Sequence, residues 1–293
     1  DTASKSKVAA ALANVETSLE SLDGLIQQPC HVIVDYESDE PSVDRAMHFR
    51  ATARAFTASG RQALLDGDSE KALNRFLDAI RFGYATRRRG LLVDGLVGMG
   101  SAAEGAYRLY EHRAGFSVPQ CIRSSQEILE LSDAGEDYAA FRERDRHWVR
   151  TAMGWHGRLT QALGDLSDAS LLFTDSQYEQ MFLQERALMR LLAVELALAA
   201  YHDEHGRWPE SLNQLVPRCL ATVPLDPFDA QQAQLRYKLM EDRYVAYSIA
   251  ANRIDEGGAE PSESPLFGAS MQGDLSLPAL LGDESLESET AGN

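Results

Sequence analysis

Residues 183–205 read LQERALMRLLAVELALAAYHDEH, and this segment carries the clearest structural signal in the chain. Its apolar positions recur at steps of three and four residues, namely Leu183, Ala187, Leu191, Val194, Leu198 and Tyr201. That spacing places them on one face and predicts a long amphipathic helix ending at Gly206. In this register Glu195 and Arg190 lie off the apolar stripe, which predicts that both side chains are exposed.

A β-hairpin is predicted downstream of this helix. Apolar residues alternate in two short stretches, first Leu235, Tyr237 and Leu239, then Val245, Tyr247 and Ile249. Residues 241–243 form the turn between them, and Pro209 opens a short helix before them. Because an isolated hairpin is only marginally stable in water, we expect it to pack on the long helix through Leu191, Val194 and Leu198. Residues 176–258 are therefore predicted to form a small α+β unit.

Residues 1–175 are predicted to form an antiparallel array of helices, which makes the protein mainly α. Helical periodicity begins near residues 8, 42, 69, 91, 117 and 136. In the third of these helices Ala72, Phe76, Ala79 and Gly83 combine small residues with one bulky aromatic residue. This pattern resembles the second helix of a tetratricopeptide repeat, and an antiparallel helical hairpin explains it equally well.

Charge is distributed very unevenly along the chain. The formal net charge is −17, which disfavours nucleic acid as a partner because phosphates require Lys and Arg. Residues 260–293 contain seven acidic residues and no Lys or Arg. We expect residues 259–293 to form an acidic disordered tail, within which Leu275, Leu277, Leu280 and Leu281 make an apolar spot.

Neither the apolar segments nor the cysteines identify a compartment. No stretch approaches the roughly 20 apolar residues of a membrane span, so membrane contact is expected only through an anchor upstream of this chain. Cys30, Cys121 and Cys219 follow no metal-ligand spacing, and buried thiols are the default interpretation.

Residues 176–258 also carry a family resemblance. The ordered segments YHDEHGRWPESLNQL, LDPFDA, LRY and YSIAANRIDEGG resemble the globular part of the major pseudopilins of type II secretion. Those proteins have an Asp-Pro-Trp-Gly turn, whereas this chain has Phe228 and Asp229 in place of Trp and Gly. Ala250 and Arg253 stand where the family's loop has glycines.

The resemblance implies an architecture, a location and a metal site. The family's loop binds Ca²⁺, and by position Asn252 and Asp255 would be the side-chain ligands here. Calcium is the one cofactor that the resemblance suggests. A helical region followed by a pseudopilin-like end also resembles proteins of planctomycete-type bacteria that carry an N-terminal anchor. That similarity implies an extracytoplasmic, cell-envelope location and no particular activity.

Two classes of function remain open from the sequence. The first is a non-catalytic envelope scaffold or protein-interaction module, with an unidentified protein partner and no catalytic residues. The alternative is an enzyme with a polar pocket between the helices, using His147, His156 or the histidines near Gly206. His202 and His205 are three residues apart, which is not the spacing of the zinc proteases.

Overall fold

The structure is a computed structural model of the chain, and it describes residues 2–38, 43–152, 154, 174–241, 243–259 and 273–281. Side chains are described from residue 14 onward, except those of residues 43 and 44. The described residues are mainly helical, with one small antiparallel sheet. This confirms the fold class expected from the sequence.

The helices are α1 (Thr2–Ile26), α2 (Val43–Leu65), α3 (Ser69–Arg87), α4 (Leu92–His112), α5 (Val118–Asp133), α6 (Tyr138–Ala152), α7 (Asp175–His205) and α8 (Leu277–Leu281). The strands are β1 (Arg236–Leu239), β2 (Tyr244–Ser248) and β3 (Leu275–Ser276). Short 3-10 turns occur at Arg113–Gly115 and Leu212–Leu215. The short helix predicted after Pro209 is the second of these turns.

Two compact units make up the chain. The first contains Asp1–His112 and Gly135–Thr174, and the second contains Arg113–Ala134 and Asp175–Asn293. The division at Thr174 lies within one residue of the boundary expected at 175. In contrast, Arg113–Ala134, which contains α5, belongs to the second unit with α7, and that unit continues past the boundary expected at 258. The hydroxyl of Ser125 on α5 donates to the Ala193 carbonyl on α7 at 2.8 Å.

In the first unit, glycines allow α3 and α4 to pack with their backbones in close approach. A Cβ atom added to Gly83 would lie 2.5 Å from the Gly98 carbonyl oxygen. A Cβ atom added to Gly98 would lie 2.5 Å from the Gly83 carbonyl oxygen. Gly105 on α4 similarly lies against the Phe76 carbonyl. Phe76 and the neighbouring Ile80 are fully buried between the helices. Gly83, Gly98 and Gly105 therefore allow the close packing of the two helices.

Buried ion pairs attach α1 to α3 in the same unit. Arg75 is 5% exposed, and its guanidinium donates to Asp23 at 2.7 Å and to Glu16 at 2.9 Å. Partial burial raises the pKa of Glu16, but hydrogen bonds from Lys71, Arg75 and Ser59 outweigh this and lower it to about 2. These contacts join charged residues more than fifty positions apart in the sequence.

In the second unit, α7 is buried on nearly every side between residues 187 and 201. Leu191, Val194 and Leu198 are fully buried, as expected of the apolar stripe. The prediction that Glu195 is exposed was wrong, because Glu195 is only 5% exposed in the structure. The Arg190 side chain is only 17% exposed as well, and it donates to the Leu225 carbonyl at 2.8 Å. A helix enclosed on all sides has no solvent face from which an apolar stripe can be distinguished.

The sheet has the strand order β1-β2-β3, with both pairs antiparallel. Within the predicted hairpin, Arg236 lies opposite Tyr247 and Leu239 lies opposite Tyr244. The third strand comes from the segment expected to be a disordered tail, where Leu275 pairs with Ser248.

This third strand corrects the prediction for residues 273–281. Leu275 and Leu277 are fully buried and Leu280 is 7% exposed, so the apolar spot expected within the tail packs into the second unit. Burial of these three leucines, together with the pairing of β3 with β2, opposes the entropy of ordering so short a segment. The expectation for the rest of the tail, residues 260–272 and 282–293, falls outside the described residues.

Candidate functional site

The candidate site lies in the second unit, where four rings meet near the C-terminal end of α7. We call His202, Trp208, Tyr237 and Tyr244 the aromatic shelf. Gly206 has φ +66° and its N–H donates to the His202 carbonyl at 2.8 Å, which ends α7 with a left-handed residue. The chain then turns back, so Trp208 lies over the last turn of the helix.

Each ring of the aromatic shelf contacts the next. The His202 and Trp208 rings stack with centroids 4.1 Å apart, and Trp208 lies 4.5 Å from Tyr244 at a tilt of 57°. The ring centroids of Tyr244 and Tyr237 are 5.8 Å apart, within the range of a favourable ring contact. All four side chains are partly exposed. The shelf is therefore a continuous aromatic surface that water and a ligand can both reach.

A buried carboxyl group lies beneath the aromatic shelf. The Tyr244 hydroxyl donates to Glu195 Oε2 at 2.7 Å, and Arg113 Nε lies 3.5 Å from the same oxygen. Burial raises the pKa of Glu195, and Arg113 and Tyr244 offset only part of that effect. The pKa of Tyr237 rises to about 12, mainly through burial and also through the charge of Glu195. Glu195 therefore fixes the orientation of Tyr244 from below.

The free edge of the sheet runs beside the aromatic shelf. The Met240 N–H donates to the Arg243 carbonyl at 2.7 Å, so Met240 and Lys238 point their backbone groups at β2. By the alternation of an antiparallel pair, Tyr237 and Leu239 point theirs away from β2. Within the described ranges no backbone hydrogen bond occupies these outward groups. Leu239 is also 40% exposed, so apolar surface accompanies the unpaired edge.

The histidines proposed for an enzyme are packed against aromatic rings. His147 lies 4.8 Å from Tyr36 in the first unit, and His205 stacks on Tyr201 at 4.1 Å in the second. His156 lies outside the described residues. Nowhere in the described part of the chain do three His, Cys, Asp or Glu residues form a group that could hold a metal ion. The geometry of this site suits binding through ring faces and backbone groups.

The two residues predicted to bind calcium lie in the loop after β2 and have protein partners there. The Asn252 amide donates to Glu256 Oε1 at 2.6 Å, and its oxygen accepts the Ile254 N–H at 3.0 Å. Asp255 accepts the Tyr247 hydroxyl at 3.1 Å and the Arg236 Nε at 3.2 Å. The calcium site therefore stays a prediction, and a cation there would compete with the guanidinium of Arg236.

Arg236 connects this loop to the turn before β1. Its guanidinium contacts Asp226 at 3.0 Å, Asp229 at 2.8 Å and Asp255 at 3.2 Å. The buried Asp226 carboxylate also accepts the Ser248 hydroxyl at 2.6 Å, as well as the backbone N–H groups of Phe228 and Ile249. Every contact of Asp226 is a protein hydrogen bond, which is typical of a structural carboxylate.

Sequence reasoning missed half of the aromatic shelf. It placed Tyr237 on the hairpin and His202 at the helix end, but it did not single out Trp208 or Tyr244. The turn at Gly206, two residues before Trp208, was the signal in the sequence that could have identified Trp208. The shelf also needs the contact between Glu195 and Tyr244, which lie 49 positions apart.

Comparisons with known proteins add no relative. No family model matches the chain, and searches of curated proteins and of solved structures return no significant match. Among the described residues, no helix is both long enough and apolar enough to cross a membrane. The function of the chain is therefore inferred from its own geometry.

Proposed function

We propose that this chain is a non-catalytic scaffold of the cell envelope that holds an extended segment of a partner protein along the free edge of β1. The observation that carries the proposal is the unpaired edge at Tyr237 and Leu239 lying next to the half-exposed aromatic shelf. The pseudopilin-like interpretation of residues 176–258 and the tetratricopeptide-like interpretation of α3 agree with a scaffold, and both stay predictions.

Strand addition uses the two kinds of group that this edge offers. Backbone hydrogen bonds to an edge strand give affinity, and pockets for alternate side chains give specificity. The outward N–H and C=O groups of Tyr237 and Leu239 would pair with the partner's backbone. Every second side chain of the partner would then lie over Trp208 and Leu239, where apolar, aromatic or proline residues fit best.

The edge is also protected against indiscriminate pairing. β1 is only four residues long and carries Lys238, and short charged edge strands resist aggregation. A specific partner would therefore need the contacts of the aromatic shelf in addition to backbone pairing. The need for contacts with the aromatic shelf distinguishes recognition of a specific partner from nonspecific pairing of any strand with the edge of β1.

The test is a selection of displayed random peptides on the immobilised protein, followed by affinity measurements on the enriched peptides. L239P removes the outward N–H, whereas L239A keeps it, so this matched pair separates backbone pairing from side-chain contact. We expect L239P and W208A each to weaken binding at least about tenfold. I254A, at another exposed apolar residue of the same unit, should bind like the parent protein.

Circular dichroism on each variant checks that the fold is retained. The proposal fails if no peptide is enriched, or if enriched peptides bind L239P and W208A as tightly as the parent protein.

A further inference from the structure

A groove in the first unit lies between α2 and α4, and two arginines stand on its wall. Arg50 and Arg54 are one helical turn apart on α2, and both are exposed. Within the described residues neither side chain makes an ion pair or hydrogen bond, although the chain has a net charge of −17. Other cations of the unit, such as Arg45 and Arg75, are paired with carboxylates.

The groove is a cavity of about 310 Å³ with an apolar floor. Ala53 from α2 and Leu96, Val97 and Gly100 from α4 form this floor, and Ser101 and Glu104 complete the lining. From Leu96 to Glu104 the lining extends over eight residues, or about 12 Å of helix. That length corresponds to about two turns of a third helix lying between α2 and α4.

The described part of the first unit does not account for the presence of glycine at position 100. A Cβ atom added to Gly98 or Gly105 would collide with α3, which accounts for those two glycines. Among the described residues, a Cβ atom added to Gly100 would meet nothing within 4 Å. Glycine in the interior of a helix is less stable than alanine, so an unused glycine is a cost to α4. The close approach that Gly100 permits is therefore available to a molecule from outside the unit.

We propose that this groove binds an acidic amphipathic helix of a partner protein. The apolar stripe of that helix would lie on Ala53, Leu96 and Val97, with its backbone close to Gly100. Its acidic residues would pair with Arg50 and Arg54, whose side chains make no ion pair or hydrogen bond within the described residues. The proposal concerns the first unit alone and is independent of the peptide edge proposed for the second.

A synthetic peptide of about 18 residues is the probe, with leucine and alanine at helical spacing on one face and glutamate on the other. Its affinity for the full chain is measured by fluorescence anisotropy, beside a version with lysine in place of glutamate. The double variant R50E/R54E should weaken binding of the acidic peptide at least about tenfold, and raising the salt from about 0.05 to about 0.3 M should weaken binding to the parent chain.

Two further variants make the test specific to the groove. G100F fills the open space over Gly100 and should also weaken binding at least about tenfold. R61E makes one Arg-to-Glu exchange, half the charge change of the double variant, at an exposed position of α2 that does not line the groove, and it should change the affinity less than about twofold. If G100F loses its helical circular dichroism, the comparison of R50E/R54E with R61E decides the result.

Three outcomes overturn the proposal. The first is no saturable binding of the acidic peptide, and the second is equal or tighter binding of the lysine version. The third is binding of dodecanoate, but not of the peptide, with the same dependence on Arg50 and Arg54. That result would make the groove a site for an amphiphilic acid.

Discussion

Asp274 provides a sharp test of the second unit, because it attaches β3 to the loop that follows β2. Asp274 is 1% exposed, and its carboxyl group accepts a hydrogen bond from the Gly258 N–H at 2.7 Å. Burial raises the pKa of Asp274 to about 6, and the nearby charges of Glu256 and Asp255 add to this while the Gly258 N–H opposes it. The carboxyl therefore keeps its proton in the folded protein at a pH where the unfolded chain has lost it.

The sign of the effect on stability follows from this shift. The contribution of Asp274 is fully present below its ordinary pKa of 3.8 and is lost as the pH rises through about 6. A shift of about two pKa units corresponds to about 3 kcal/mol. Glu256 and Asp255 are exposed and their repulsion is partly screened, so we expect about 1–3 kcal/mol at pH 7.5.

The perturbation is D274N, which keeps an acceptor for the Gly258 N–H and places a donor near Glu256 in place of the acid proton. Denaturant melts of the full chain between about pH 4 and pH 7.5 give the free energy of unfolding. The variant should match the parent at the acidic end and become more stable than it by about 1–3 kcal/mol at the neutral end. Adding E256Q should reduce that gain.

D229N is the control of opposite sign. The pKa of Asp229 is lowered, chiefly by the hydrogen bond from Arg236, so its contribution is present at neutral pH and disappears in acid. D229N should therefore destabilise the protein at neutral pH and have little effect at low pH. A difference between D274N and the parent that stays constant across the pH range would refute the reasoning for Asp274.

Three further predictions concern burial and close packing. E195Q should raise the free energy of unfolding increasingly as the pH rises above the ordinary Glu range, because the pKa of Glu195 is raised. E195A should lower it by about 1–3 kcal/mol by removing the acceptor of the Tyr244 hydroxyl, and a loss from E195Q as large as that from E195A at pH 7.5 would contradict this. L198A should cost about 2–5 kcal/mol in the same melts because Leu198 is fully buried, and a cost below about 1 kcal/mol would show that its packing is incorrect. G105A should destabilise the protein, because the added methyl group would force α4 away from the Phe76 carbonyl, whereas G100A should stabilise it by up to about 1 kcal/mol. Equal effects of the two substitutions in thermal melts would contradict this distinction between the two glycines.

Helical periodicity predicted the helices of this chain well, because each signal lies within one element. The long helix expected before Gly206 is α7, Asp175–His205, and the third predicted helix is α3, which begins at Ser69 as expected. Gly206 itself has the left-handed conformation expected of a helix end. These features depend on residues three to five positions apart, and that is the range over which sequence spacing fixes geometry.

The segment 273–281 shows where composition misled the prediction. Acidic and small residues surround four leucines there, and averaged over the whole tail this composition is typical of disorder. The structure pairs two residues of the segment with β2 and buries Leu275 and Leu277. Burial of a few side chains is a local property, so an average over more than thirty residues cannot detect it.

Glu195 explains why the candidate site was harder to predict than the fold. Helical periodicity assigned it to a solvent face, since a charged residue off an apolar stripe is usually exposed. Its burial depends on the Tyr244 hydroxyl and the Arg113 guanidinium, which come from distant positions of the chain. The aromatic shelf is assembled in the same way, from the end of a helix, a turn and two strands. Spacing predicts which residues share one element, whereas a site built across four elements becomes visible only when tertiary contacts are known.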